Sequence, residues 1–382
     1  MVVHGFGYDG KDDHSPISAP NEYIRNLHLS HAAVLLFFIL SGYVIGLTNR
    51  GDFTRKRAVD YLRKRTLRIV PLYFLALLAG WLAWRAVSPG NVLANAFFLQ
   101  NTAWGIQPLS GNRPVWSLHY EVIYYLGFLW VWAARPRLWP VFSILLGLAL
   151  AGWFSGDHLS VVGGWSAGGI FWLAGLCLAW HQPAEGDTPL LTFILLAYAT
   201  NHLWPGEILL RGLGLSNAGN SAVALSDLAL LPCTLAVFCA VTRFNFPGFQ
   251  LVKWCAFLIP FGTCAILLTM GRLFENVPWT LAALATGAAI PLYFFERESW
   301  SKPFFRLFSP LGKISYGLYL LHVPCVAFVV SFYPWNGNPA NYVGGVLSWI
   351  ALTFALAWVS EAKLQRFIVS YFKRSRPARS PS

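Results

Sequence analysis

Apolar residues in this chain neither alternate with polar ones at the period of a strand nor keep to one stripe of a helix; they come in unbroken runs separated by short polar breaks. A helix that is apolar all round is matched to lipid or to the interior of a large bundle, and about 20 such residues cross the roughly 30 Å of bilayer hydrocarbon. Runs of this kind are read at 32–48, 69–87, 116–134, 137–154, 160–180, 188–205, 224–242, 251–270, 277–295, 313–333 and 341–360. Those at 160–180 and 188–205 are the least regular of these, interrupted by Gly163, Gly164, Gly168, Gly169 and Asn201. Only helices and closed barrels satisfy their backbone in lipid. The pattern therefore predicts an all-α polytopic membrane helical bundle of about 10–11 transmembrane helices.

Composition agrees. Of 382 residues, 56% are hydrophobic and 12% charged, more apolar surface than a soluble globule of this size can hide. The net charge of +12 raises the question of nucleic acid, which the positions of the charges answer. With residues 1–31 placed outside, 22 of the 28 Lys and Arg fall in segments on the cytoplasmic side; Lys11, Arg25, Arg85, Arg113, Arg211 and Arg272 fall outside. This is the positive-inside asymmetry, and no nucleic-acid partner is needed to explain it. The reading is a bacterial inner-membrane, multi-pass protein with a cytoplasmic C-terminus.

The six cysteines lie in or beside apolar runs with none of the close pairs that chelate zinc, so no metal site and no disulfide framework is expected. Two stretches are polar enough to lie in water, residues 5–31 and the tail ending KRSRPARSPS. Neither can bury a core, so residues 1–362 are read as one membrane domain and 363–382 as a basic, disordered cytoplasmic tail lying against anionic lipid. No internal repeat or pair of matching broken helices marks an inverted-repeat transporter.

Chemistry is sought first among ionisable groups at membrane depth, where each costs roughly 2.5–3.5 kcal/mol. Fifteen of the 16 Asp and Glu fit loops or span ends; Glu121 does not. In VWSLHYEVIYYL, Ser117, Glu121 and Tyr124 follow i, i+4, i+7 and share a face, with His119 pointing elsewhere. Glu121 is either a structural carboxylate held by a neighbouring Arg or Trp, or a site group. The run RKRAVDYLRKRTLRIVPLY puts seven cations between Arg55 and Arg68 at a span entrance. It sets topology in any case, and Lys64, Arg65 and Arg68 also offer a point charge and two planar forks to phosphates. Nine histidines are candidate bases by their intrinsic pKa; spacing does not choose among them.

Four segments in order, AAVLLFFILSGYVI (32–45), YLRKRTLRIVPLY (61–73), VWSLHYEVIYYL (115–126) and LGKISYGLYLLHVP (311–324), resemble the acyltransferase 3 family of integral-membrane O-acyltransferases. The resemblance implies about ten helices, an acyl-CoA donor, and transfer of an acyl group, acetyl above all, to a hydroxyl of an extracytoplasmic carbohydrate or glycoconjugate. It makes His4 the catalytic histidine at the end of a first helix that is truncated here, together with the arginine expected about ten residues before it. The family's paired arginines fall on Lys64 and Arg68, with Arg65 or Arg63 as substitutes for the first. Its WSL-x-x-E pattern gives Trp116, Ser117 and Glu121, and the late pattern gives Ser315, Tyr316 and His322. The implied partners are acyl-CoA, a carbohydrate acceptor and membrane lipid, with no cofactor beyond the donor. The alternative from another class is a non-enzymatic transporter or flippase of a lipid-linked sugar.

Overall fold

Every apolar run from 32 onward is occupied by a helix in the computed structural model, which describes residues 30–83, 88–100, 106, 108–155, 157–181, 184–185, 188–215, 221–333 and 339–374. In chain order these are α1 (Ser30–Thr48), α2 (Arg55–Ala83), a short α3 (Pro89–Ala96), α4 (Trp116–Ala134), α5 (Leu138–Phe154), α6 (Asp157–Trp180), α7 (Leu190–Leu203) and a short α8 (Pro205–Gly212). There follow α9 (Leu231–Thr242), α10 (Phe249–Thr269), α11 (Val277–Phe295), α12 (Glu298–Phe308), α13 (Ser315–Phe332), α14 (Pro339–Trp358) and α15 (Arg366–Arg374). The all-α membrane bundle expected from the pattern is what the chain forms.

Among the described residues, seven helical stretches are long and apolar enough to cross a membrane, and an eighth if α12 and α13 count as one bent span. The expected eleven included α4, α5 and α7, which do not qualify by length and composition. Helix α4 carries Ser117, His119 and Glu121, all buried. Helix α7 has only 14 residues, about 21 Å at 1.5 Å per residue, and stops at Trp204 in a left-handed conformation (φ 51°). Nearly all of α7 is covered by protein, so Thr192, Thr200, Asn201 and His202 need not be apolar. Lipid-facing apolarity is required only of helices that lipid touches.

Two further boundaries differ from expectation. Helix α2 begins at Arg55 and not near 69, because Lys and Arg are good helix formers whose long stems lie along apolar surface while their heads stay wet. The basic cluster is thus part of the helix itself. At the other terminus the helix continues through a π-turn (Val359–Gln365) into α15, so the segment expected to be a disordered tail from 363 is helical as far as Arg374.

Loops that alternate crossing places on one side do touch. Asp52 pairs with Arg135. The Trp132 indole donates to the Gly51 carbonyl at 2.6 Å, and the Arg50 guanidinium donates to the Ala179 carbonyl at 3.0 Å. A two-residue antiparallel ribbon, Ala184–Glu185 with Phe244–Asn245, joins two more loops of this basic end. At the opposite end His31 meets Asp227 at 3.0 Å and the Trp153 indole donates to the Leu215 carbonyl at 3.3 Å.

The interior is centred on α1, which lies against α6 so closely that a Cβ on Gly175 would come 1.9 Å from the Ile39 carbonyl oxygen, and one on Gly42 2.0 Å from that of Trp172. In lipid no hydrophobic force pulls helices together, and such small-residue contacts let backbones approach and pack. Around α1 and α4 the packing is largely aromatic, with Phe38, Tyr120, Tyr124, Phe128 and Trp132 buried.

Candidate active site

Helix geometry brings α1, α2 and α4 together at Glu121, which is only 4% exposed. One oxygen, Oε1, accepts from the Ser41 hydroxyl of α1 at 3.4 Å and from the Tyr125 hydroxyl one turn further along α4. The other, Oε2, is buried with no hydrogen-bond partner. The charges that act on this carboxylate are those of Arg65 and Arg68 on α2. A buried carboxylate is tolerated only with such compensation, and here it comes from two hydroxyls and two cations of three helices.

Arg65 is held in place by aromatic faces. Its guanidinium carbon lies 5.2 Å from the centroid of Tyr125 and 5.7 Å from that of Tyr61, within cation–π range. Tyr61 in turn donates its hydroxyl to the Tyr125 carbonyl at 3.3 Å. Lys64, one residue earlier and so about 100° around the helix, is exposed. Of the three cations read as phosphate ligands, Arg65 is half-buried while Lys64 and Arg68 are exposed, and it is the charges of Arg65 and Arg68 that act on Glu121.

Tyr124 also departs from the expected face. Its hydroxyl donates to the Trp165 carbonyl of α6 at 3.1 Å and its ring packs on Phe38 and Trp172. Tyr125, at i+4 from Glu121, takes the place the i+7 pattern had given Tyr124. His119 points away from Glu121 as expected: its Nδ1 is hydrogen-bonded to the Phe98 carbonyl and its ring lies near Trp165.

The remaining motif residues make contacts with several elements of the bundle. Trp116 stacks on His31 and meets Phe38 and Tyr120 edge-on. The Ser117 and Tyr319 hydroxyls are 2.7 Å apart, and Tyr319 also donates to the Pro114 carbonyl. Tyr316 donates to the Ile69 carbonyl of α2 at 3.2 Å, tying α13 to the turn after Arg68. His322 is buried; its Nδ1 lies 2.7 Å from the Tyr319 carbonyl and its own carbonyl accepts from Trp349 at 2.7 Å. Ser315, at the start of α13, bonds only locally to the Gly312 carbonyl at 3.1 Å. His4 lies outside the described residues.

Sequence reasoning missed four contributors. Ser41 sits in the ILSGYVI segment, where a polar residue inside an apolar run was the available signal. Tyr61 and Tyr125 carried none, since an aromatic in a membrane helix is ordinary. Glu361 passed as part of the C-terminal boundary, yet its carboxylate accepts the Gly317 N–H at the first turn of α13, and Arg68 acts on it. A carboxylate at a helix N-terminus satisfies an orphan donor and complements the dipole. The charge of Arg68 thus acts on two acidic groups, Glu121 and Glu361.

No curated protein and no solved structure matches this chain. The family model for the acyltransferase domain of the acyltransferase 3 family matches residues 1–361, so it takes in α1, α2, α4 and α13 together with Glu121, Arg65 and Arg68. The chain is a multi-pass membrane acyltransferase and belongs to the acyltransferase 3 family.

Proposed function

We propose that this acyltransferase takes an acyl group, acetyl by preference, from acyl-CoA on the cytoplasmic side and transfers it to a hydroxyl of an extracytoplasmic carbohydrate or glycoconjugate. The observation that carries the reading is that the charges of Arg65, stacked on Tyr125 and Tyr61, and of Arg68 act on the buried Glu121 from the head of a helix whose first turns are densely basic. Two guanidinium groups at a cationic entrance, Arg65 half-buried and Arg68 exposed, suit the phosphates of CoA. A flippase would share the helices and the carboxylate but has no use for a thioester site. Placing the basic end, and with it the C-terminus, in the cytoplasm follows from the positive-inside rule.

In the proposed step the acceptor hydroxyl attacks the thioester carbonyl as a base takes its proton. The C–S bond then breaks and CoA leaves as a thiolate that is reprotonated. His4 is the proposed base. Glu121, with Oε1 occupied by two hydroxyls and Oε2 open, is proposed to orient or stabilise an imidazolium, as the third member of a triad does. Trp116, Ser117, Tyr316 and His322 are proposed to shape the acceptor and acyl path, and Lys64 to add charge at the entrance.

The test uses proteoliposomes supplied with labelled acetyl-CoA on the basic side and envelope polysaccharide on the other. The expected result is saturable acetyl-CoA binding and label recovered from the polysaccharide as alkali-labile ester. His4→Ala should keep the binding and lose about 10² to 10⁴ in transfer rate. Near-normal transfer by His4→Ala would remove His4 from the mechanism, and absence of acetyl-CoA binding by the intact chain would remove the donor assignment.

A further inference from the structure

At the end of the bundle away from the basic cluster, His31 in the first turn of α1 meets Asp227 in the 3-10 turn Leu225–Leu230, Nε2 to Oδ2 at 3.0 Å. A carboxylate only accepts, so Nε2 carries the shared proton, and in the neutral ring Nδ1 keeps its lone pair. Asp227 is held from a second direction, because Oδ2 also accepts the Ala224 N–H at 2.8 Å. Among the described residues nothing bonds to His31 Nδ1 or Asp227 Oδ1, and the two side chains keep 31% and 20% of their surface exposed. The pair therefore offers two acceptor atoms that the protein itself does not use.

Its surroundings fix it in place. The Ala32 N–H, one of the unpaired donors at the start of α1, donates to Asn201 Oδ1 of α7 at 3.2 Å, which pins the turn that carries His31. The Trp116 indole, at the start of α4, lies 27° from parallel to the imidazole with ring centroids 6.5 Å apart, and Tyr120 and Phe38 hold it edge-on. His31 stands ten residues before Ser41, about 15 Å along α1 at 1.5 Å per residue, so the pair lies well beyond the Glu121 cluster, toward the end that the charge pattern sets outside. An imidazole lone pair, a charged oxygen and an aromatic ring side by side, all fixed before anything binds, select for a molecule with several O–H donors on a C–H frame. The carboxylate disfavours an anion, and an apolar molecule would desolvate both acceptors without satisfying them. A carbohydrate meets all three.

Resting on the acyl-transfer reading above, we propose that His31, Asp227 and Trp116 form the docking subsite of the carbohydrate acceptor. His31 Nδ1 and Asp227 Oδ1 each accept a sugar hydroxyl, and the Trp116 ring covers the C–H face of the same sugar. These are positioning residues. They hold the acceptor at the mouth and set which of its hydroxyls is presented inward, while bond making stays with the site at Glu121.

The experiment is saturation-transfer NMR on the full chain in nanodiscs, with oligosaccharides released from envelope polysaccharide by mild acid, beside acetyl-CoA binding and a melting curve on the same samples. The wild type should bind saccharide saturably. Asp227→Asn keeps the shape and an acceptor for the Ala224 N–H but loses the charge, and should weaken saccharide about ten- to a hundredfold, the usual effect of losing a hydrogen bond to a charged group. His31→Phe, which fills the space without a lone pair, should also weaken it, and His31→Gln, which retains a donor for Asp227 and an acceptor for a hydroxyl, should keep most of it. Arg211→Gln, at an exposed ion pair of the same end, should change nothing. Acetyl-CoA affinity should stay at the wild-type level throughout. No saccharide binding by the wild type, or wild-type binding by both Asp227→Asn and His31→Phe, would overturn the proposal. So would a lowered melting temperature with equal losses of saccharide and acetyl-CoA, which would make the pair a structural tie between α1 and the 3-10 turn. Saccharide binding that these variants lose, in a wild type that transfers no acetyl group, would uphold the subsite and overturn the acyl-transfer reading instead.

Discussion

Two neighbouring cations, Lys64 and Arg65, separate a donor site from a topology signal, because they differ in environment and not in charge. Lys64 is exposed, and a surface substitution away from special contacts usually changes free energy by less than about 0.5 kcal/mol, or about twofold in a binding constant. Arg65 lies over Tyr125 and Tyr61 and acts on Glu121. If its guanidinium holds a phosphate of acyl-CoA, Arg65→Ala removes a charge-assisted contact worth about 1.5–3 kcal/mol, which is about ten- to a hundredfold in donor affinity. The aromatic contacts exist with or without donor, so their loss, about 0.5–1 kcal/mol each at exposed sites and more when desolvated, should register in thermal stability and not in affinity. Arg65→Lys keeps the charge but not the planar stack, and should fall between.

The assay is equilibrium binding of acetyl-CoA to purified variants, with a melting curve on the same samples. Arg65→Ala should weaken acetyl-CoA at least tenfold and lower the melting temperature, while Lys64→Ala should do neither. Combining Arg65→Ala with Glu121→Gln should recover part of the lost stability, because the carboxylate that needed a cation is then gone. Equal weakening by Lys64→Ala and Arg65→Ala would refute the reasoning, since it would show that the donor senses the cluster's overall charge and not the stacked guanidinium.

Glu121→Gln should slow acyl transfer at least tenfold with acetyl-CoA binding changed less than the rate, and Tyr125→Phe, which removes one donor to Oε1, should do the same more weakly; unchanged single-turnover rates in both would leave Glu121 as a structural group. Gly175→Ala forces a methyl into the Ile39 carbonyl and should destabilise the bundle by about 1–3 kcal/mol, read as a lower unfolding temperature in detergent; a melt identical to wild type would mean α1 and α6 separate freely. Cysteines introduced at Lys56 and Lys373 should label only from the cytoplasm and one at Asp12 only from outside, and the reverse pattern would invert the orientation proposed from charge.

What the sequence determined by itself was what depends on composition over about twenty residues at a time. Unbroken apolar runs specify membrane helices whatever their neighbours, so the helical class and the position of each run were legible, as was the family, whose four segments lie in order along the chain. Glu121 was legible for the same reason, because an ionisable side chain inside an apolar run is conspicuous without any knowledge of its partners. The partners were not. Whether Tyr124 or Tyr125 reaches the carboxylate depends on how α4 is rotated against α1 and α2, and a heptad-like spacing leaves that angle open by tens of degrees. The choice of Arg65 over Lys64 follows from the same rotation of α2, which turns Arg65 towards the ring of Tyr125 on α4. Helix α7 could be short and carry Thr, Asn and His because its neighbours, not lipid, surround it, and enclosure is a property of the assembled bundle. Ser41 and Glu361, 80 and 44 residues from the groups they contact, were brought to the site by packing alone.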